Sequence, residues 1–242
     1  MILAFLWSFL SASSLVVGSI FELIFKPKRK TLGLIMAFGV GVLISAISFE
    51  LVDEAFSSSH NWLIVIFGLI FGSLVFVALD TIVSKNGGRN HKKLNSKSKN
   101  SNGISILLGT ILDGIPESII IGLSLASGVS VSYVMVVAVF LSNLPESIAS
   151  TSGLKRYWSS EKIVWFWLFI AVISGLFSVI GYAIYSQVGT NARAFILTFS
   201  AGALLTMLAN SMIPEAYKDS GKFAGIVTTL GFGLAYILSI LQ

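Results

Sequence analysis

The sequence predicts an all-α fold: a polytopic membrane protein of eight transmembrane helices, forming a single domain over residues 1–242. Two observations carry this reading. Hydrophobic residues make up 55% of the chain, charged residues only 11%, and the mean hydropathy is +0.89, whereas a soluble domain carries about 25% charge. The apolar residues also fall into runs of roughly 20, the length that crosses the ~30 Å hydrocarbon core, each bounded by charged or turn residues. The lipid bilayer is therefore the main solvent and partner of this chain.

The first span, near 2–25, has no basic region ahead of its apolar run and is too long for a signal-peptide core, so it reads as a retained helix. The second covers about 32–55 and ends in acids, and the third covers about 62–84. Segment 85–103, KNGGRNHKKLNSKSKNSNG, is polar, rich in Gly, Ser and Asn, and without apolar periodicity. It reads as a flexible basic loop dividing the chain into three helices and then five. Its basic run could touch anionic lipid, although enforcing topology is its main expected role. The remaining spans lie near 104–126, 130–152, 163–186, 192–214 and 222–241.

Orientation follows from the basic residues. Fifteen of the sixteen Lys and Arg side chains fall in the connections after the first, third, fifth and seventh spans, and only Arg193 lies on the other side. The positive-inside rule makes those connections cytoplasmic and both termini external, in a plasma or inner membrane. The net charge of +5 is thus a topology signal and not a nucleic-acid footprint. With no Cys, disulfides, thiolate metal sites and cysteine nucleophiles are excluded. No Ser-His or Asp-Asp arrangement is placed for nucleophilic or general-base work, which argues against an intramembrane enzyme. Trp62, Trp158 and Trp165 lie at span edges and read as interfacial anchors. Gly68 with Gly72, and Gly221 with Gly225, have GxxxG spacing, assigned here to helix packing; it permits a homodimer without specifying its face.

Three of the four prolines immediately precede glutamate, in Pro116-Glu117, Pro145-Glu146 and Pro214-Glu215. The first two steps lie about halfway along adjacent spans, which puts Glu117 and Glu146 near the bilayer centre. Asp113 stands one turn before Glu117 and Asn143 three residues before Glu146, so each pair shares a helix face. A mid-membrane acid costs roughly 2.5–3.5 kcal/mol on insertion scales, and no Lys, Arg or His lies at that depth. These acids must then be protonated, face water, or hold a cation. Each proline also removes a hydrogen bond to the carbonyl four residues earlier, at Leu112 and Leu141. Carboxylates, an amide oxygen and spare carbonyls together suit a hard divalent cation.

Further acids stand toward the two mouths. Glu50, Asp53 and Glu54 end the second span with spacings of three and four, which on an α-helix would align them at an outer entrance or simply at a solvated helix end. Glu215 lies near the inner end of the seventh span, where Pro214 would free the carbonyl of Asn210. The strings FELVDEA (49–55) and NSMIPEA (210–216) look related while ending helices of opposite direction, as inverted repeats do. Glu22 and Asp80 lie near the inner surface, within reach of cytoplasmic Lys and Arg. His60 and His91 fall in loops and read as solvated.

These motifs resemble the ZRT/IRT-like (ZIP) metal transporters, which have eight transmembrane helices, external termini, a variable loop between the third and fourth, and a metal site on the fourth and fifth. The fourth helix of that family reads H-N-x-P-E-G; the matching stretch here is Asp113-Gly114-Ile115-Pro116-Glu117-Ser118. The fifth matches at Ser142-Asn143-Leu144-Pro145-Glu146-Ser147. Asp113 stands where the family has His, and Ser142 where it has His or Gln. Ser178 occupies a region where the sixth helix often carries Glu, and Asn210 with Ser211 one where His or Glu is common. The resemblance implies a single oxygen-rich site of Asp113, Glu117, Asn143 and Glu146, with Ser142, Glu50, Asp53, Glu54, Ser178, Asn210 and Glu215 along the path. No cofactor is implied, because the metal is the substrate: zinc by family, with Mn or Fe favoured by the missing imidazoles. The expectation is inward transport of a divalent cation by alternating access. The rival readings are a proton-coupled carrier of organic cations and a non-transporting membrane protein whose buried acids are structural.

Overall fold

The computed structural model describes residues 1–85, 103–126, 133–155 and 157–241, with the side chains of 83–85, 103–113 and 186 outside the description. The basic loop, and with it His91, therefore lies almost wholly outside the described residues. All regular structure among the described residues is helical: α1 (Ile2–Phe25), α2 (Arg29–Ala46), a π-helical segment π1 (Ile47–Val52), α3 (Asp53–Ser59), α4 (Trp62–Lys85), α5 (Gly103–Ala126), α6 (Tyr133–Leu154), α7 (Ser160–Gln187), α8 (Thr190–Met207), a second π segment π2 (Leu208–Met212), α9 (Ile213–Ser220) and α10 (Phe223–Ile240). Seven spans among the described residues are long and apolar enough to cross a membrane, and α5 supplies the eighth expected helix. The chain is a multi-pass helical membrane protein.

The second and seventh spans run longer than hydropathy alone predicts, reaching Arg29–Ser59 and Thr190–Ser220. In each, a long helix passes through a π segment into a short polar helix whose acids and serines fall below the apolar threshold. The two stretches also correspond position by position. The same number of residues separates Arg29 from Thr190, Ile47 from Leu208, Ser59 from Ser220 and Trp62 from Phe223. The same interval links the two positive-φ residues that end the short helices, His60 (φ 50) and Gly221 (φ 65), and the bifurcated amides of Ile47 and Leu208, each shared between two preceding carbonyls. Gly221 therefore serves the turn, and neither it nor Gly225 has a neighbour at its Cβ position. That corrects the packing role expected of this GxxxG pair; Gly68 and Gly72 do pack, against Thr198 and Phe199 of α8.

Helix pairing follows the same correspondence: α2 packs on α10 and α4 on α8, while α1 packs on α6 and α5 on α7. Small residues set these distances. Gly41 of α2 lies against the backbone of Thr228 and Phe232, and its counterpart Gly202 of α8 against the backbone of Leu69. The helices α1, α5, α6 and α7 form one group, joined to the rest mainly where α2 crosses α6. The α6 span is 67% buried and the second span 61%, against 22% and 17% for α4 and α10, so the last two are peripheral. Their exposed Phe67, Leu74, Ile226 and Leu230 suit lipid contact. Trp62 and Trp165 are exposed as interfacial anchors would be, whereas Trp167 is fully buried and donates Nε1–H to Thr151 Oγ1 at 2.9 Å.

One expected ion pair is present. Lys155, just past the end of α6, donates to the backbone carbonyl of Glu22 at 2.9 Å and lies 3.6 Å from its carboxylate. The pair ties the end of α1 to the end of α6, and Glu22 is 7% exposed. Lys155→Met should lower stability by about 1–3 kcal/mol, because it leaves a buried acceptor and a carboxylate without their donor. A double-mutant cycle with Glu22→Gln should recover part of that loss; independent, additive losses would show that the contact carries no coupling.

Candidate metal site

The centre of the α1/α5/α6/α7 group holds a small pocket lined by Ser11, Ala12 and Leu15 of α1, Gly114, Glu117 and Ser118 of α5, Val139 and Asn143 of α6, and Ile170 and Ser174 of α7. It has room for about one water-sized particle. Pro116 and Pro145 both lie inside continuous helices, so each helix carries its Pro-Glu step through the packed core. Glu117 is 2% exposed and Asn143 7%. Glu117 is not without a partner, but its Oε2 atom is buried with no hydrogen bond of its own.

Of the four ligands expected at the centre, Glu117 and Asn143 therefore meet in one pocket. Asp113 is one turn before Glu117 in α5, and its side chain lies outside the described residues. Glu146 is half-buried and engaged in an interaction, but it does not line this pocket. The carbonyl of Leu141, which Pro145 deprives of its helical donor, faces α2 instead, where an ideal Cβ on Gly39 would come within 3.1 Å of it.

The remaining candidates are dispersed. Ser142 is buried and donates to the Val139 carbonyl at 3.0 Å. Ser178 is fully buried with its Oγ unsatisfied, beside Gly122 of α5. Glu50 lies within π1 and accepts a 2.7 Å hydrogen bond from Ser239 near the end of α10. Asp53 is exposed and Glu54 half-buried in the first turn of α3. Asn210 is exposed within π2, and Glu215 half-buried at the start of α9. Among the described residues no three His, Cys, Asp or Glu side chains converge closely enough to hold a metal. The outer acids share the spacing of an α-helical face but not its geometry: Glu50 sits in a π turn, whose i→i+5 bonding rotates it relative to α3.

The serines were the residues that motif reading passed over. Ser8, Ser11 and Ser14 recur every three residues along α1 and are all buried. Ser8 donates across to the Ser174 carbonyl at 3.1 Å, Ser11 to the Ser8 carbonyl at 2.9 Å and Ser14 to the Ser11 carbonyl at 2.7 Å. Ser118 likewise donates to the Gly114 carbonyl at 2.7 Å. With each proton committed to backbone, the hydroxyl oxygens of Ser11 and Ser118 keep lone pairs for acceptance. The pocket thus combines a carboxylate, an amide and hydroxyl oxygens, a donor set suited to a hard cation. The signal in the sequence was serine at three-residue intervals in an otherwise apolar span, since polar groups in such a helix face the protein interior.

No protein-family model matches the chain, and no curated protein matches it.

Proposed function

We propose that this chain carries a divalent metal cation inward across a cell membrane by alternating access, as a divergent relative of the ZIP transporters. The observation that carries the reading is the burial of Glu117 beside Asn143 in an oxygen-lined pocket within the core, on helices interrupted by matching Pro-Glu steps. An acid in that position is costly unless a proton or a cation compensates it. Asp113, one turn away, would add charge to the same region. Glu146, off the pocket, and Glu215, at the start of α9, would serve entry or exit.

Two further observations favour a transported ion. The matched stretches Arg29–Ser59 and Thr190–Ser220, with corresponding helix pairings, suit an inverted-topology repeat, the architecture in which substrate binds between halves that rock against each other. The size of the pocket favours a bare ion over an organic amine. Both termini would lie outside, with the basic connections in the cytoplasm. Imidazole is absent from the pocket lining, so Mn or Fe is expected to compete well with Zn.

Uptake of Zn, Mn and Fe into vesicles reconstituted with the purified chain tests this. Saturable metal uptake that organic amines leave unchanged supports it; uptake of amines insensitive to metals, or no uptake at all, removes it. Selectivity gives a second measurement. Asn143→His should shift preference from Mn toward Zn by about tenfold, because imidazole suits zinc, and an unchanged Mn/Zn ratio would place Asn143 away from the ion.

A further inference from the structure

The basic residues on one side of this protein are not equivalent. Lys155 is paired with Glu22, and Lys162 lies over the Trp158 ring at 4.8 Å. By contrast, Lys28, Arg29, Lys218 and Lys222 are all exposed and take part in no ion pair among the described residues. These four come from segments far apart in sequence, and packing brings them to one corner. The first turns of α2 lie against the end of α9, where Gly33 leaves room: an ideal Cβ there would approach Asp219 Cβ and Ser220 N to 2.9 Å. Lys30 completes the junction with its ammonium 5.3 Å above the ring of Phe223, the residue after Lys222.

We infer that the corner formed by Lys28, Arg29, Lys30, Lys218 and Lys222 seats the phosphate of an anionic lipid headgroup. Five basic residues stand on the segments that meet there, against two half-buried acids of α9, Glu215 and Asp219. Like charges gathered at one junction repel one another, and an anion between them relieves that repulsion. With the apolar spans set across a bilayer, the corner would fall at the level of the lipid phosphates, since α2 and α10 both begin there and continue as apolar helices. Along α10 the exposed Phe223, Ile226 and Leu230 continue away from the corner as a surface for acyl chains. A headgroup held here would bridge the start of α2 to the α9–α10 turn, joining the two matched stretches of the chain at their polar ends. The inference is independent of what the protein carries.

Retention of phosphatidylglycerol, phosphatidylcholine and inorganic phosphate by the purified full chain in mild detergent, followed by native mass spectrometry, tests it. Phosphatidylglycerol should be retained saturably and phosphatidylcholine only at background. The double variant Lys218→Gln/Lys222→Gln should lose phosphatidylglycerol affinity on the order of tenfold. The variant Lys28→Gln/Arg29→Gln should lose as much from the other segment, while Lys162→Gln should not change it. All of these positions are exposed, and a thermal melt of each variant verifies folding. Equal retention of both lipids, unchanged retention in both double variants, or displacement of lipid by millimolar inorganic phosphate would overturn the assignment, the last by marking a site for a free anion.

Discussion

Glu117→Gln should abolish metal uptake, lowering affinity for the transported ion by at least about 100-fold, since changing even an indirect partner of a metal ligand costs 10–100-fold. The substitution is close to isosteric. Glutamine keeps the volume of a side chain that is 2% exposed and one acceptor oxygen, and replaces the other, with its negative charge, by a neutral amide donor. A cation in the pocket would then face hydroxyls and amides without a carboxylate among the described lining residues. Glu117→Asp, which keeps the charge on a shorter arm, should retain part of the activity. Initial uptake rates against metal concentration, with thermal stability measured with and without metal, separate the possibilities. If Glu117 is a neutral structural acid, Gln should be silent in both measurements, and that result would remove the proposed site.

The second large effect concerns packing. Gly41→Ala and Gly202→Ala should each destabilise the protein by about 1–3 kcal/mol, the cost of forcing extra volume into a packed core. At Gly41 a Cβ would collide with the carbonyl of Thr228 and lie 2.7 Å from the amide nitrogen of Phe232; at Gly202 it would meet the carbonyl of Leu69. Both obstacles are backbone, so no side chain can rotate away and the helices themselves must part. Gly225→Ala and Gly233→Ala make the contrast, because neither position has a neighbour within 4 Å. There the better helix propensity of Ala, up to ~1 kcal/mol over Gly, should leave stability unchanged or raised. Thermal unfolding in one detergent compares all four. Equal behaviour of the two sets would mean that these glycines do not set the helix distances.

The helices were legible because burial in lipid demands long apolar runs, and the chain supplies them with polar breaks. The ion pair at Glu22 was legible in the same way, from an acid placed near a basic connection. The π segments were not, because a π turn in an apolar helix alters hydrogen bonding without altering composition. That explains the scattering of Glu50, Asp53 and Glu54, whereas the underestimated lengths of the second and seventh spans come from the polar residues of α3 and α9. At the centre, the Pro-Glu motif pointed to Glu117 and, through the shared face, to Asn143. It placed Glu146 with them, although only tertiary packing decides which residues of a helix meet a pocket. It gave no hint of Ser11 or Ser174, since the acids of their helices, Glu22 and Glu161, stand near the helix ends and away from the pocket.

The two π segments also have a mechanical meaning. A wide turn offers each carbonyl a choice of donors, and the amides of Ile47 and Leu208 are already shared between two acceptors. Exchanging one acceptor for another there would leave the number of hydrogen bonds nearly constant, so a rotation of the short helix beyond would cost little in hydrogen-bond enthalpy. Glu54 and Glu215, at matching positions just past the two joints, are the acids such a swivel would re-aim. The two π segments are thus equivalent joints in the chain, each followed directly by a carboxylate-bearing short helix.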